Sequence, residues 1–393
     1  MNDMSAPRIL TSEDQEHCVP VYVVWETTLA CNLKCGHCGS RAGARRDDEL
    51  DTPEALELID QMAALGTREI TIIGGEAFLR KDWLRLIERI AGHGILCTMQ
   101  TGAYGLNEKM LKSALDAGLG GIGVSVDGRE DDHDRIRGRK GSFRACLKAL
   151  RAARDLGMVT SANTQINAIS HPHLRAIFDV VADAGISHWQ LQWTVAMGNA
   201  ADNDDVLLQP YLVKPVMDEV AEIFKHAQTI GVTVRPGNNI GYFGKHEVMW
   251  RGGEQGGGHY AGCPAGHNAI GIEADGTIKA CPSLPKERYS GGNIRDLTLE
   301  DMWKTAPGLA FNRQRGTDHL WGHCKGCMYA DICHGGCTWT ADSLFQRPGN
   351  NPYCYYRVDK LEKQGIRERV RKVQEAPDHP FAVGLFEIVE EPI

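Results

Sequence analysis

The stretch Cys31-Asn32-Leu33-Lys34-Cys35-Gly36-His37-Cys38 decides how the rest of this chain is read. Three thiols stand at x3 and x2 spacing, with an aromatic ring just before the last. Soft thiolates suit iron, and three of them can hold three irons of a 4Fe–4S cube while the fourth iron stays open. An open iron can chelate a small molecule and pass it one electron. The octapeptide is therefore a candidate reaction centre rather than a fold staple. A zinc site is the rival reading, and it would want a fourth tetrahedral ligand.

Outward from the octapeptide, short apolar runs alternate with helical periodicity between residues 20 and 235, the pattern of parallel β/α units. Strands are expected at about 21–26, 69–73, 95–99, 122–126, 159–165 and 188–195. Leu56, Ile59 and Met62 mark one apolar helical face, ended by Gly66. Leu84, Ile87 and Ile90 mark a second, ended by Gly92, and Leu111, Ala114 and Leu115 a third, ended by Gly118. Segments 143–150 and 174–181 complete the series, and a helix at about 215–227 would close the layer. The fold class is α/β: a partial (β/α)6 barrel followed by a small cysteine-rich C-terminal domain. The expected division is an N-terminal extension (1–19), the barrel (20–235), a Gly-rich connector (236–262), the cysteine-rich domain (263–360) and a helix and tail (361–393). Asp275-Gly276, flanked by alternating residues, signals a hairpin at the start of the cysteine-rich domain.

In parallel β/α folds, ligands gather at the carboxyl ends of strands. Cys31, Cys35 and Cys38 follow the first strand, Gly74-Gly75-Glu76 the second, Ser125 and Asp127 end the fourth, and Gln190 and Gln192 lie on the sixth. Taken singly, each has a bland reading as a turn, a cap or a core amide. Met197, Trp189 and Trp193 could line a flat pocket there, or belong to the core.

The cysteine triplet together with Gly74-Gly75-Glu76 resembles the radical S-adenosylmethionine (SAM) superfamily, over residues 20 to about 198. The resemblance implies that the open iron chelates the methionine part of SAM. It further implies that one electron cleaves the sulfur–C5′ bond and that the 5′-deoxyadenosyl radical takes a hydrogen atom from substrate. By the same resemblance, His37 lies near the adenine, Gly74 and Gly75 let the backbone approach the cofactor, and Glu76 meets the methionine amine. Ser125 and Arg137 would bind the ribose and carboxylate of SAM, with Asn163 a further ribose candidate and Gln192 a further contact. Ala77 stands where many relatives have proline.

Cys263, Cys281, Cys324-x2-Cys327-x5-Cys333-x3-Cys337 and Cys354 resemble the SPASM auxiliary-cluster module. That resemblance implies two further 4Fe–4S clusters, three in all. Cys324, Cys327, Cys333 and Cys354 would hold a distal cube, and Cys263, Cys281 and Cys337 a proximal one that is short of a cysteine. Some relatives supply a cysteine six residues upstream of the first, where this chain has Gly257; His259 and Tyr260 are the nearby non-cysteine candidates, and Cys18 a distant one. Two structural zinc sites are the alternative.

Pro282 stands where sulfatase-maturing relatives carry an acidic base, which disfavours formylglycine formation. The expected function is maturation of a ribosomally made peptide. A radical enzyme for a small molecule such as a tetrapyrrole or sugar is the alternative, and a non-catalytic iron–sulfur electron carrier the second. No peptide-binding winged helix is expected before residue 20, so a peptide substrate would call for a separate recognition protein. Flavodoxin or ferredoxin is the electron donor the resemblance implies.

The 393 residues carry a net charge of −8 with scattered Lys and Arg, which argues against a nucleic-acid surface. No apolar run long enough for a membrane span and no export signal are read, so the expected location is the cytoplasm. There, thirteen cysteines, ten of them clustered, point to metal rather than to disulfides. Cys97 and Cys146 sit in apolar patterns and read as core.

Overall fold

The computed structural model describes residues 6–252 and 258–393. Its main feature is a ten-stranded sheet in the order β10-β9-β8-β1-β2-β3-β4-β5-β6-β7. Six strands alternate with helices as expected: β1 (Tyr22–Glu26), β2 (Glu69–Ile73), β3 (Leu96–Thr101), β4 (Leu119–Ser125), β5 (Val159–Ile166) and β6 (His188–Trp193). All neighbours among them pair in parallel. The apolar faces of the helices Thr52–Ala64, Trp83–Gly92, Ser142–Asp155 and Leu174–Asp183 bury against one side of this curved sheet. Trp189 shows the geometry: it is fully buried and packs on Phe178 of the helix Leu174–Asp183, with ring centroids 5.3 Å apart. Its strand neighbours His188 and Gln190 point the other way, into the barrel, because side chains alternate along a strand.

Three features were not foreseen. A seventh strand, β7 (Thr233–Pro236), pairs in parallel with β6. The Asp275-Gly276 hairpin forms as read, from β8 (Ala269–Ile272) and β9 (Thr277–Lys279), but it is not a detached lobe. β8 pairs in parallel with β1, and β10 (Ser290–Asn293) extends the same sheet. The cysteine-rich region is thus built onto the first strand of the barrel.

Residues 236–262, expected as a Gly-rich connector, are largely packed where the structure describes them: Ile240, Tyr242 and Tyr260 are buried. Their apolar anchors outweigh the glycine count. Gly257 lies outside the described residues.

The helix expected at the start of 361–393 is corrected. A helix ends at Glu362, Gly365 turns the chain at φ +73°, and β11 (Ile366–Gln374) pairs antiparallel with β12 (Leu385–Pro392). The period is two, not 3.6. Glu368 and Val370 are buried on one face, while Arg367 and Arg371 face Glu391 and Glu387 across the ladder. No helix among the described residues is long and apolar enough to cross a membrane.

Candidate functional site

The loop carrying Cys31, Cys35 and Cys38 leaves the end of β1 and is fixed by backbone bonds from several sides. Gly75 N–H donates to the Thr28 carbonyl and Glu76 N–H to the Ala30 carbonyl, both at 2.8 Å. Gly36 N–H donates to the Ile136 carbonyl (2.8 Å), and Lys34 N–H to that of Arg137 (3.1 Å). From the other flank Asn199 Nδ2 donates to the Cys35 carbonyl at 2.8 Å. The segment 377–382 straps over the loop: Phe381 N–H donates to the Gly39 carbonyl (3.0 Å), and Arg41 Nε to that of His379 (3.2 Å).

Gly74 and Gly75 are required here by the packing of the cysteine loop. A Cβ on Gly74 would lie 2.5 Å from the Thr28 oxygen, and one on Gly75 would lie 2.2 Å from the Ala30 oxygen. The two glycines admit the cysteine loop itself. Glu76 is buried and turned toward β3, where it accepts from Gly102 N–H (2.7 Å) and from the Thr101 hydroxyl. Burial pushes its carboxyl up to about 7. Its place is a clamp between β2 and β3.

The three thiols are half-buried and within electrostatic reach of one another. Burial pushes Cys31 up to about 12 and Cys35 up to about 11, so binding a metal displaces protons. Each sulfur has a nearby N–H: Leu33 N at 3.4 Å from Cys31, Ala42 N at 3.4 Å from Cys38, and Arg137 Nη1 at 3.8 Å from Cys35. These donors favour negative sulfur.

Beneath the loop lies Asp127, fully buried. It accepts from Arg137 Nη2, pairs with His37 Nε2 at 3.1 Å, and accepts from Gln165 N–H at 2.8 Å. Burial works against its charge, but Arg137 and His37 hold the carboxyl well below its usual range. His133 accepts from Asp127 N–H at 3.1 Å through Nδ1, and burial pushes it down to about 4. The His37 ring is thus spent on Asp127 through one nitrogen. Asp127 was placed at the site but not read as a hub, and Asn199 was missed. The sole signal in the sequence was the position of Asp127 at the end of the fourth strand.

Ser125 and Asn163 are register neighbours on β4 and β5, and Gln192 faces Gln165 one strand further on. Asn163 Nδ2 bonds Gln100 across Gly123, where any Cβ would strike the Gln100 side chain at 2.0 Å. Buried atoms around this mouth lack partners: His37 Nδ1, Arg137 Nε and Asn163 Oδ1. A polar ligand beside the cysteine loop fits that set of unmet hydrogen bonds.

The barrel interior holds a cavity of about 450 Å³ toward the amino ends of the strands. Thr98, Gln100, Ser161, Gln190 and Arg235 line it, and Arg8 reaches in from the N-terminal extension to Glu69. It runs from β7 to the β8 side, across the open seam of the barrel. Trp189 and Trp193 are core residues that face away from it, and Met197 packs beside Gly39.

The C-terminal cysteines fall into two sets. Cys324, Cys327, Cys333 and Cys354 line one cavity. Cys337 senses Cys263 and Cys281 as charged neighbours, and burial pushes Cys337 up to about 12 and Cys281 up to about 11. Among the described residues no three His, Cys, Asp or Glu side chains converge as a single-ion site requires. Cys97 and Cys146 are core, as read.

A model of the radical SAM superfamily matches residues 25–189, and a model of the SPASM iron–sulfur cluster-binding domain matches residues 263–328. The chain is 25% identical to Fe-coproporphyrin III synthase of Methanosarcina barkeri, over 86% of this chain and 88% of that protein. It is 28% identical to PqqA peptide cyclase of Granulibacter bethesdensis, over 83% and 84%. In fold it resembles Streptococcus suis SuiB bound to S-adenosylmethionine, with a TM-score of 0.66 at 16% identity over 86% of this chain and 76% of that one. A partial barrel with its cysteine triplet at the mouth, continued into a second cysteine array, makes this chain a radical SAM enzyme with a SPASM domain.

Proposed function

We propose that the chain uses SAM and three 4Fe–4S clusters to modify a ribosomally made peptide by hydrogen-atom abstraction. When bound, the cube and SAM supply one-electron cleavage of the sulfur–C5′ bond and a 5′-deoxyadenosyl radical. Cys31, Cys35 and Cys38 would hold that cube. Arg137, kept charged and aimed by Asp127, would meet the carboxylate of SAM. Ser125 and Asn163 would hold the ribose, and Gln192 would add a polar contact on the same rim. His37, Gly74, Gly75 and Glu76 would position the loop. Cys324, Cys327, Cys333 and Cys354 would hold the distal auxiliary cube, and Cys263, Cys281 and Cys337 the proximal one. A flavodoxin or ferredoxin would donate the electron, and a separate recognition protein would deliver the peptide.

The observation that carries the peptide reading is the 28% identity to PqqA peptide cyclase over 83% of this chain and 84% of that protein. The tetrapyrrole reading keeps one support, the likeness to Fe-coproporphyrin III synthase over most of the chain.

The test is anaerobic: reduced, cluster-loaded protein is given SAM, and 5′-deoxyadenosine is measured. Cys35→Ala should abolish cleavage, while Cys327→Ala should leave uncoupled cleavage. Precursor peptides encoded beside the gene, or an iron porphyrin, are then added. A mass change in the peptide supports the proposal; decarboxylation of the porphyrin with no peptide product overturns it.

A further inference from the structure

The proximal set has three thiols for four irons: Cys263, Cys281 and Cys337. Resting on the reading of that set as a cube, we propose that the phenol oxygen of Tyr260 is the cluster's fourth protein donor. Tyr260 is 2% exposed, and its hydroxyl has no partner. It forms one buried cluster with Cys333, Cys337 and Tyr242, and its nearest charged neighbours include Cys263 and Cys337. A buried hydroxyl with nothing to bond is unusual, and one buried beside a set of cysteines short by one ligand has an evident use.

The side chain is also held in place. Its ring stands edge-on to Tyr242, with centroids 4.6 Å apart, and the Arg251 guanidinium lies 5.3 Å from its centre. Its backbone N–H donates to Glu247 at 2.7 Å. Tyr242, next to it, has no spare valence: it donates to the Asn238 carbonyl (2.6 Å) and accepts from Cys337 N–H (3.1 Å).

The other candidates point elsewhere. His259 is exposed, its Nδ1 lies 3.1 Å from the Tyr260 carbonyl, and its ring stacks on Phe243. Cys18 lies beside the Gln15 carbonyl and His267 Nδ1, at 3.9 Å from each. As the iron–oxygen bond forms, the phenol proton leaves to solvent and no electron moves. Arg315 is near both Cys263 and Tyr260 and offsets the charge that develops.

The experiment uses full-length protein carrying Cys31→Ala, Cys35→Ala and Cys38→Ala, reconstituted anaerobically, so that only auxiliary clusters are seen. Resonance Raman of the oxidised protein should show iron-bound phenolate bands. Adding Tyr260→Phe should remove them at unchanged iron content. It should also let cyanide alter the EPR signal of the reduced cluster, which the parent resists. Tyr260→Cys should restore that resistance without the phenolate bands. Absence of phenolate bands in the parent, their survival in Tyr260→Phe, or cyanide binding by the parent overturns the proposal. Failure of the triple variant to take up iron at all overturns the auxiliary-cluster reading, and the proposal with it.

Discussion

Asp127→Asn is the most informative single change in the barrel. The carboxylate is fully buried and anchors a guanidinium, an imidazole and a backbone N–H from three different segments. The amide keeps the shape but removes the charge, and it leaves Arg137 protonated and nearly buried without a counter-ion. Breaking a buried pair from one side costs about 3–5 kcal/mol, because the remaining charge stays desolvated. For a cooperative unit the size of the barrel this corresponds to a fall in Tm of roughly 7–11 °C.

The assay is thermal unfolding of cluster-loaded protein, followed by tryptophan fluorescence. Asp127→Asn combined with Arg137→Met removes both charges and should recover more than half of the loss, as pairs in direct contact are strongly non-additive. SAM cleavage should stay absent in both variants. The sign with pH is also fixed. A carboxylate held below its ordinary range stabilises the fold above the unfolded pKa of about 4 and loses that contribution as pH falls through the folded value. The gap between wild type and Asp127→Asn should therefore narrow in acid. A single variant within 1 kcal/mol of wild type, or a double variant no more stable than the single, would refute the hub.

Gly75→Ala should expel the cysteine loop, since its Cβ would sit 2.2 Å from the Ala30 oxygen; iron content should fall by about a third, with the auxiliary clusters retained. Glu26→Gln should match wild type in Tm near pH 4 and exceed it increasingly as pH rises toward 8, because burial pushes Glu26 up to about 8 while the unfolded carboxyl ionises from about 4, which weakens only the wild type. Phe381→Ala should speed oxidative bleaching of the clusters in air, as the strap over the cysteine loop loses its ring above Lys279, 3.8 Å from Nζ.

Much of the site was legible because its chemistry is local. The cysteine spacings, the Gly-Gly-Glu run and the Asp-Gly hairpin each lie within a few residues, and the six strands follow from apolar runs of the right length. The hub was not legible, because Asp127 gathers partners 10, 38 and 90 residues away. Gly75 was identified, yet its reason lies in Ala30, which only the paired loops bring close. The strand at 366–374 was missed because its Lys, Arg and Glu residues mimic helical i,i+4 pairs. Alternation becomes visible only when β12 supplies Glu387 and Glu391 opposite.

The joint between barrel and cysteine array explains why a titrating carboxyl lies in the core. β1 runs into the loop of the cysteine triplet and β8 runs parallel beside it at the start of the C-terminal cysteine array, so one pair of strands joins the two cysteine-bearing regions. Side chains of that seam bury charge: Arg46 contacts Glu26, Glu273 and Asp275, and Lys279 contacts Glu273 at 2.9 Å. Lys286 also lies 3.9 Å from Asp275, so three cations face three carboxyls. Asp275 and Glu273 are both held below their usual range, whereas Glu26, although near Arg46, is pushed up by burial and by Glu273. Glu26 is therefore the carboxyl of this seam that keeps its proton at neutral pH.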